Sequence, residues 1–131
     1  MAAPTPKPPR AALVLFAHGA REPGWAEPFQ AIRDKVARSR PDLTVELAFL
    51  ELMKPALEEC VARLAASGHQ RVTVAPVFLG MGGHLKHDLP RLLDGIRRQQ
   101  ATVEIVSLPP IGEMESLHDA IAGLLVNGVP R

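Results

Sequence analysis

Four short apolar runs divide this chain into regular segments, and they restrict its fold more than any other feature. The runs cover residues 12–17, 43–50, 71–79 and 103–107. A short, continuous apolar run is typical of a strand that is buried on both faces of a parallel sheet. After each run, apolar residues recur at the spacing of one helix face. The alternation predicts an α/β fold, a single doubly wound domain with a four-stranded parallel sheet flanked by helices.

The predicted helices are delimited by residues that begin or end helical backbone. Apolar spacing predicts one helix over about 24–39 and another over about 84–99. Lys54-Pro55 is expected to open the second helix, because proline is tolerated in a first turn, and Gly68 to end it. A last helix carries the apolar residues Leu117, Ile121, Leu124 and Leu125.

Composition excludes several classes of function. The net charge is +1 and aromatic residues make up 4%, so no basic, aromatic surface for nucleic acid is expected. A single cysteine forms no internal disulfide. Four prolines within residues 1–10 predict a disordered tail ahead of one domain at 11–131. No signal peptide or membrane span is recognisable, so we expect a cytoplasmic protein without a membrane partner.

Polar residues stand where three of the predicted strands end. His18 follows the first strand, Glu51 the second, and His84 follows a glycine-rich loop after the third. In the expected strand order 2-1-3-4, the winding reverses between strands one and three, where doubly wound sheets bind their ligands. Two neutral imidazoles suit cobalt, iron or nickel, and histidine also accepts protons near neutral pH. We therefore predict His18 and His84 as metal ligands and catalytic residues, with Glu51 as a third catalytic residue.

Each of these residues also has a plain structural interpretation. His18 could cap a turn, His84 could be a solvated residue of a flexible loop, and Glu51 could pair with a lysine instead of acting as a base. The loop before His84 is unusually small and apolar, which suits the face of a large hydrophobic ring. Lys54 and Arg21 lie on the same predicted edge and could receive substrate carboxylates. The predicted substrate-binding residues are Lys54, Leu79, Gly80, Met81, Gly82 and Gly83.

The remaining histidines and the cysteine carry weaker signals. His69 lies in a polar turn and is expected to be solvated, whereas His118 flanks an apolar stripe and is expected to pack. Cys60 is expected to be a small core residue. His87 follows His84 by one helical turn and could join it as a chelating pair. Asp88 could orient the His84 ring.

Five motifs in this order resemble the CbiX/SirB class of tetrapyrrole chelatases. They are Ala17-His18-Gly19-Ala20-Arg21, Phe49-Leu50-Glu51-Leu52, Pro76-Val77-Phe78-Leu79, the segment from Gly83 to Pro90, and Pro109-Pro110-Ile111-Gly112. The resemblance covers nearly everything from residue 12 to 125. In length the chain is similar to the short CbiX form, whose longer relatives carry two such repeats.

The resemblance implies a chelatase-like fold and a lyase that inserts Co²⁺ or Fe²⁺ into sirohydrochlorin, toward cobalamin or siroheme. His18 would be the base and one metal ligand, and His84 the second ligand. The loop 79–83 and Lys54 would touch the macrocycle, and a homodimer would complete the cleft. The metal is a substrate, so no tightly bound cofactor is expected. Two departures are Ala20, where serine is usual, and His87, where a basic residue is usual.

Two other functions remain open at this stage. Histidine phosphatases also place His-Gly after their first strand, but they need an arginine before that histidine to hold phosphate, and Ala17 stands there. A non-catalytic carrier or sensor could use the His18/His84 pair to bind a divalent metal. Such a protein would leave the apolar loop 79–83 without a purpose.

Overall fold

The computed structural model describes residues 10–131 and shows four strands in one parallel sheet. The strands are β1 (Ala11–Ala17), β2 (Thr44–Phe49), β3 (Arg71–Pro76) and β4 (Glu104–Ser107). Their order is β2-β1-β3-β4 and every neighbouring pair is parallel, which confirms the predicted topology. The chain adds β2 on one side of β1 and then β3 and β4 on the other side. The direction of winding therefore reverses between β1 and β3, which is the topological switch point of the sheet.

Four helices cover the sheet or extend from it. They are α1 (Glu27–Ser39), α2 (Leu57–Ala66), α3 (Gly83–Gln99) and α4 (Glu115–Gly128). Short 3₁₀ turns at Pro23–Ala26 and Ile111–Glu113 precede α1 and α4. The predicted helices over about 24–39 and 84–99 are confirmed, although the first turn of the former is 3₁₀ rather than α.

Two predicted boundaries are wrong by about three residues. The second helix begins at Leu57 rather than at Lys54, because the chain first loops back to β2, where the Phe49 N–H donates to the Pro55 carbonyl at 2.9 Å. The third strand ends at Pro76 rather than at residue 79. The Val77 N–H still donates to the Phe16 carbonyl at 2.9 Å, and the chain then leaves the sheet.

The main core lies between the sheet and helices α2 and α3. Across this face, the paired residues Ala12, Val72 and Ile105 are all buried. Cys60 belongs to this core, as predicted, and its burial raises the pKa of the thiol to about 11. A smaller cluster beneath α1 includes Leu15 on the opposite face.

His69 contradicts the expectation of a solvated turn residue. Its side chain is buried at the foot of the sheet, with Nδ1 3.0 Å from the Leu64 carbonyl and Nε2 3.0 Å from the Thr44 hydroxyl. Since a carbonyl only accepts, Nδ1 carries the hydrogen and Nε2 accepts from the hydroxyl. A turn sequence reveals polarity, but it does not reveal that the end of α2 and β2 enclose the ring.

The predicted disordered tail at 1–10 lies outside the described residues, apart from Arg10. Between residue 10 and residue 131, none of the helices has the length and apolar character needed to cross a lipid bilayer.

Candidate active site

His18 and Glu51 form a hydrogen-bonded pair at the carboxyl edge of the sheet. His18 follows β1 directly, and its Nε2 lies 3.0 Å from Oε1 of Glu51, which follows the adjacent strand β2. The side chains are 52% and 55% exposed, so both reach solvent and any ligand at this edge. The alternative in which Glu51 pairs with a lysine is not observed: the carboxylate pairs with the predicted catalytic histidine.

Backbone geometry brings these two residues together. The ladder between β1 and β2 continues past the strands, with the Leu50 N–H donating to Ala17 at 2.9 Å and the Glu51 N–H donating to His18 at 3.1 Å. Gly19 has a φ of +94°, and a Cβ built there would stand 1.8 Å from the Glu51 carbonyl oxygen. Only glycine allows this close approach, so the His-Gly motif is what lets β2 end against His18.

The pairing defines the chemistry of the His18 ring. A carboxylate has no hydrogen to donate, so Nε2 of His18 carries the hydrogen and donates it to Glu51. In the neutral ring, Nδ1 then keeps a free lone pair that can bind a metal or accept a proton. The buried Phe78 ring meets His18 edge to face, with centroids 6.1 Å apart at 84°, and limits the rotation of the imidazole.

His18 lines an apolar cavity of about 830 Å³ that opens between α1 and α4. Its walls are formed by apolar side chains of the two helices and of the segments after β3 and β4. These residues are Trp25, Pro28, Phe29, Ile32, Val77, Phe78, Leu79, Gly80, Ile111, Leu117 and Ile121. The volume and the apolar walls suit a large organic ligand, with the imidazole as the polar group at one side.

The loop predicted to touch the macrocycle divides between two environments. Leu79 and Gly80 line the cavity, whereas Met81 is half-buried and packs against the main core. Gly82 and Gly83 are exposed, and a Cβ built at either would meet nothing within 4 Å. These two glycines therefore border open space, which a flat ligand could occupy.

Gly112 holds the start of this loop in place. Its N–H donates to the Phe78 carbonyl at 2.9 Å, and a Cβ on Gly112 would stand 1.8 Å from the Leu79 carbonyl oxygen. His118, from the first turn of α4, donates through Nε2 to the Gly112 carbonyl at 2.6 Å. His118 is exposed and makes this hydrogen bond instead of the apolar packing expected for it.

His84 lies in the first turn of α3 and is exposed. His87 and Asp88 are exposed in the same helix, and no hydrogen bond between Asp88 and His84 occurs in the described chain. Across residues 10–131, no three His, Cys, Asp or Glu side chains are grouped closely enough to hold a metal ion. The structure thus joins His18 to Glu51 and leaves His84 separate, so its role as second ligand stays a prediction.

Lys54 and Arg21 share a shallow depression beside the His18–Glu51 pair. The depression has a volume of about 390 Å³ and is also lined by Ala20, Leu52 and Met53. The two cations line this depression, and neither of them lines the apolar cavity. The expectation that both cations share this edge agrees with their placement, whereas their binding role stays a prediction.

Several residues of the site carried little signal in the sequence. Trp25, Phe29 and Ile121 match the helical spacing of core residues, but they are half-buried and face the cavity. Periodicity identifies an apolar face without showing whether protein or ligand covers it. The Gly19 and Gly112 positions could have been found from His-Gly and Ile-Gly following predicted strands, where backbone turns sharply.

The strand order, the His18–Glu51 pair after β1 and β2, and the apolar cavity define a doubly wound α/β protein with a candidate ligand site at the carboxyl edge of its sheet. Comparison with known families identifies the class more closely. A family model described as CbiX matches residues 12–126. The chain belongs to the CbiX family.

Two curated relatives named sirohydrochlorin cobaltochelatase are similar in sequence. The protein of Methanothermobacter thermautotrophicus is 36% identical over 85 residues, which cover 65% of this chain and 59% of the relative. That of Saccharolobus islandicus is 34% identical over 123 residues, which cover 89% of this chain and 91% of the relative. The alignment with the first relative thus spans less than two thirds of that protein, and the alignment with the second nearly all of it.

Two solved structures share the fold. A CbiX protein of Marinobacter aquaeolei, described as a cobalamin (vitamin B12) biosynthesis protein, has a TM-score of 0.79 and 29% identity, covering 89% of this chain and 95% of that chain. SirB of Bacillus subtilis, solved with Fe³⁺, has a TM-score of 0.73 and 25% identity. The match to SirB covers 92% of this chain but 48% of SirB, so this chain spans about half of that protein.

Proposed function

We propose that this protein is a chelatase that inserts Co²⁺ or Fe²⁺ into sirohydrochlorin. The observation that carries the proposal is the His18–Glu51 hydrogen bond at the mouth of an apolar cavity. Membership of the CbiX family and the names of the curated relatives support the same activity. The metal is a substrate of this reaction.

His18 is suited to the proton transfer that metal insertion requires. The incoming cation replaces two pyrrole N–H protons of the macrocycle, and each proton must leave as the metal–nitrogen bonds form. Nδ1 of His18 has the free lone pair, so it accepts one of these protons once the metal has left it for the ring, while Nε2–H stays bonded to Glu51 and the second proton passes to solvent. The carboxylate stabilises the resulting imidazolium, which makes Glu51 a positioning residue rather than the primary base. Solvent at the exposed ring then takes the proton away.

The surroundings of His18 match the two kinds of surface on sirohydrochlorin. The flat ring is apolar and the cavity walls are apolar, whereas the ring carries carboxylates at its periphery. Arg21 and Lys54 in the neighbouring depression supply cations for those carboxylates. Leu79 and Gly80 contact one face of the ring in this arrangement, and the open space beside Gly82 and Gly83 leaves room for its edge.

A second copy of the chain completes the site in our proposal. The SirB match spans about half of the SirB chain, which contains further residues of comparable number. One copy provides His18 and Glu51 as a pair but no group of three metal-binding side chains in the described region. We propose a homodimer in which His84 acts as the second metal ligand and the partner encloses the ring. The buried, protonated Cys60 is compatible with action in the cytoplasm.

The test is anaerobic absorbance spectroscopy of the purified protein with sirohydrochlorin and either Co²⁺ or Fe²⁺. We expect insertion well above the metal-only rate, a loss of at least about 100-fold in His18→Ala, and a smaller loss in Glu51→Gln. His84→Ala tests the second ligand. Glu58→Gln is the matched control, because it removes an exposed carboxylate from α2 away from the site.

The outcomes separate the chelatase from the metal carrier. Metal binding without faster insertion would reject the chelatase and favour the carrier. Insertion that survives His18→Ala would remove the proposed base. The assay also ranks cobalt and iron as substrates. Imidazole sites bind later first-row metals more tightly whatever the reaction, so binding affinity does not identify the substrate metal. The ion that is inserted at the higher rate indicates the cobalamin or the siroheme route.

A further inference from the structure

Leu52, directly after Glu51, has a backbone conformation that residues with a side chain rarely adopt. Its φ is +65°, and in the described part of the chain it is the only residue other than glycine with a positive φ. The Met53 N–H donates to the Glu51 carbonyl at 2.8 Å, two residues back. A positive φ at the central residue and this hydrogen bond together make a γ-turn of the rare, strained type.

The γ-turn holds Glu51 and directs Leu52 outward. The Glu51 N–H donates to the His18 carbonyl at 3.1 Å and the Glu51 carbonyl accepts from Met53, so both backbone groups of Glu51 are bonded. Met53 packs against the smaller core cluster beneath α1, whereas Leu52 is 60% exposed. The fold therefore anchors the residues on either side of Leu52 and leaves its own side chain in solvent.

Nothing within the described chain compensates for the strain at Leu52. Glycine adopts a positive φ without a steric penalty, so it would form the same turn at lower cost. An exposed leucine gains little from burial, and Leu52 belongs to neither cluster of core residues. Strained residues of this kind are concentrated at ligand-binding sites. The feature that needs a function is therefore the leucine side chain.

The surroundings of Leu52 indicate what its side chain contacts. Leu52 and Met53 line the same depression as Arg21 and Lys54. Both cations are exposed, and neither forms a salt bridge within residues 10–131. The depression thus combines an apolar wall with two available cations. A short alkyl chain that ends in a carboxylate matches both, with its methylene groups against the leucine and its carboxylate against the cations.

We propose that Leu52 is a substrate-binding residue, which contacts the alkyl part of one carboxylate-bearing arm of the macrocycle while Arg21 and Lys54 bind the carboxylate. The inference deepens the proposed function and rests on it, because the arm belongs to the proposed tetrapyrrole substrate. Since Leu52 follows Glu51 directly, an arm bound in the depression holds the ring beside the His18–Glu51 pair.

The experiment measures the binding of metal-free sirohydrochlorin by absorbance titration, and the urea midpoint, for Leu52→Gly, Leu52→Ala and Leu52→Met. The glycine and alanine variants are expected to raise the dissociation constant about 10-fold or more, because each lacks the apolar contact. Leu52→Met is the matched control: it keeps an apolar side chain of similar volume at the same φ and is expected to bind within about threefold of the wild type. Leu52→Gly should unfold at the same or a higher urea concentration than the wild type, because it relieves the strain.

Weaker binding without a loss of stability separates a substrate contact from a structural role. Leu52→Ala that binds the ring as tightly as the wild type would overturn the inference, because the turn and not the side chain would then be what matters. A lower mass of Leu52→Ala in sedimentation velocity would also overturn it, since the side chain would then contact a second copy.

The same titrations distinguish this inference from the proposed function. A wild type that binds the ring through Leu52 but inserts no metal would support the inference and contradict the chelatase. A wild type that inserts metal, with all three variants binding the ring equally well, would do the reverse. A wild type that does not bind the ring would contradict both.

Discussion

Replacing Gly19 by alanine tests whether backbone geometry builds the His18–Glu51 pair. The φ of +94° costs an alanine about 1–3 kcal/mol. The added Cβ would also stand 1.8 Å from the Glu51 carbonyl oxygen, where about 3.4 Å or more is normal in van der Waals contact. Relief requires the ends of β1 and β2 to separate, which breaks the 3.1 Å hydrogen bond from the Glu51 N–H to His18. We expect a total loss of about 3 kcal/mol or more in the free energy of unfolding.

The assay is urea unfolding followed by far-ultraviolet circular dichroism, with Gly24→Ala as the matched control. Gly24 does not have a positive φ, and a Cβ there would meet only a side-chain oxygen of Glu27 at 3.8 Å. The control is expected to change the free energy of unfolding by less than about 1 kcal/mol. A Gly19→Ala protein as stable as the control would refute the close-approach argument. In a folded Gly19→Ala protein, metal insertion should fall, because His18 loses its carboxylate partner.

Three further predictions concern other parts of the fold. Gly112→Ala should lower the free energy of unfolding by about 2 kcal/mol or more, because its Cβ would overlap the Leu79 carbonyl oxygen. Gly82→Ala is the control and should leave the free energy of unfolding nearly unchanged, because open space surrounds that position. Equal urea midpoints for the two variants would contradict this prediction. His69→Leu should cost about 1–3 kcal/mol in the same assay, since it leaves the Thr44 hydroxyl without its partner and the buried Leu64 carbonyl with the backbone N–H of residue 69 alone; a neutral effect would contradict a stabilising role for the ring. The pKa of Cys60 is raised from 9.0 to about 11, so the folded state holds the thiol proton more tightly than the unfolded state. This contribution to stability is complete below about pH 9 and is lost as the pH rises through about 11; it amounts to no more than about 3 kcal/mol. The difference in unfolding free energy between wild type and Cys60→Ala should therefore fall over that range, and a constant difference would reject the assignment.

The fold was predictable because parallel strands and amphipathic helices leave periodic marks in the sequence. The buried runs identified β1 and β3, and the alternation with helices predicted a parallel sheet. The order 2-1-3-4 was assumed as the common arrangement of four such strands, and the structure confirms it. The errors fall where backbone contacts between distant segments decide the outcome. Lys54-Pro55 has the local character of a helix start, yet Phe49 holds Pro55 in a loop and delays the helix to Leu57.

The candidate site was predictable in its parts, and its assembly was not. The positions of His18 and Glu51 after neighbouring strands followed from topology alone. The hydrogen bond between His18 and Glu51 depends on the close approach of Gly19 to the backbone of Glu51. This approach joins distant segments, so no local sequence pattern predicts it. His84 was expected to join them, and it stays apart in the described chain because the loop after β3 carries it to the start of α3.

By itself, the sequence determined the order of elements, the parallel character of the sheet and the edge at which the candidate site residues lie, because these depend on periodicity and chain connection. The tertiary structure alone decided which side chains meet, that Trp25 and Ile121 face a cavity instead of the core, and that α4 has no buried residue. Amphipathic spacing shows that a face must be covered, and only three-dimensional packing shows what covers it.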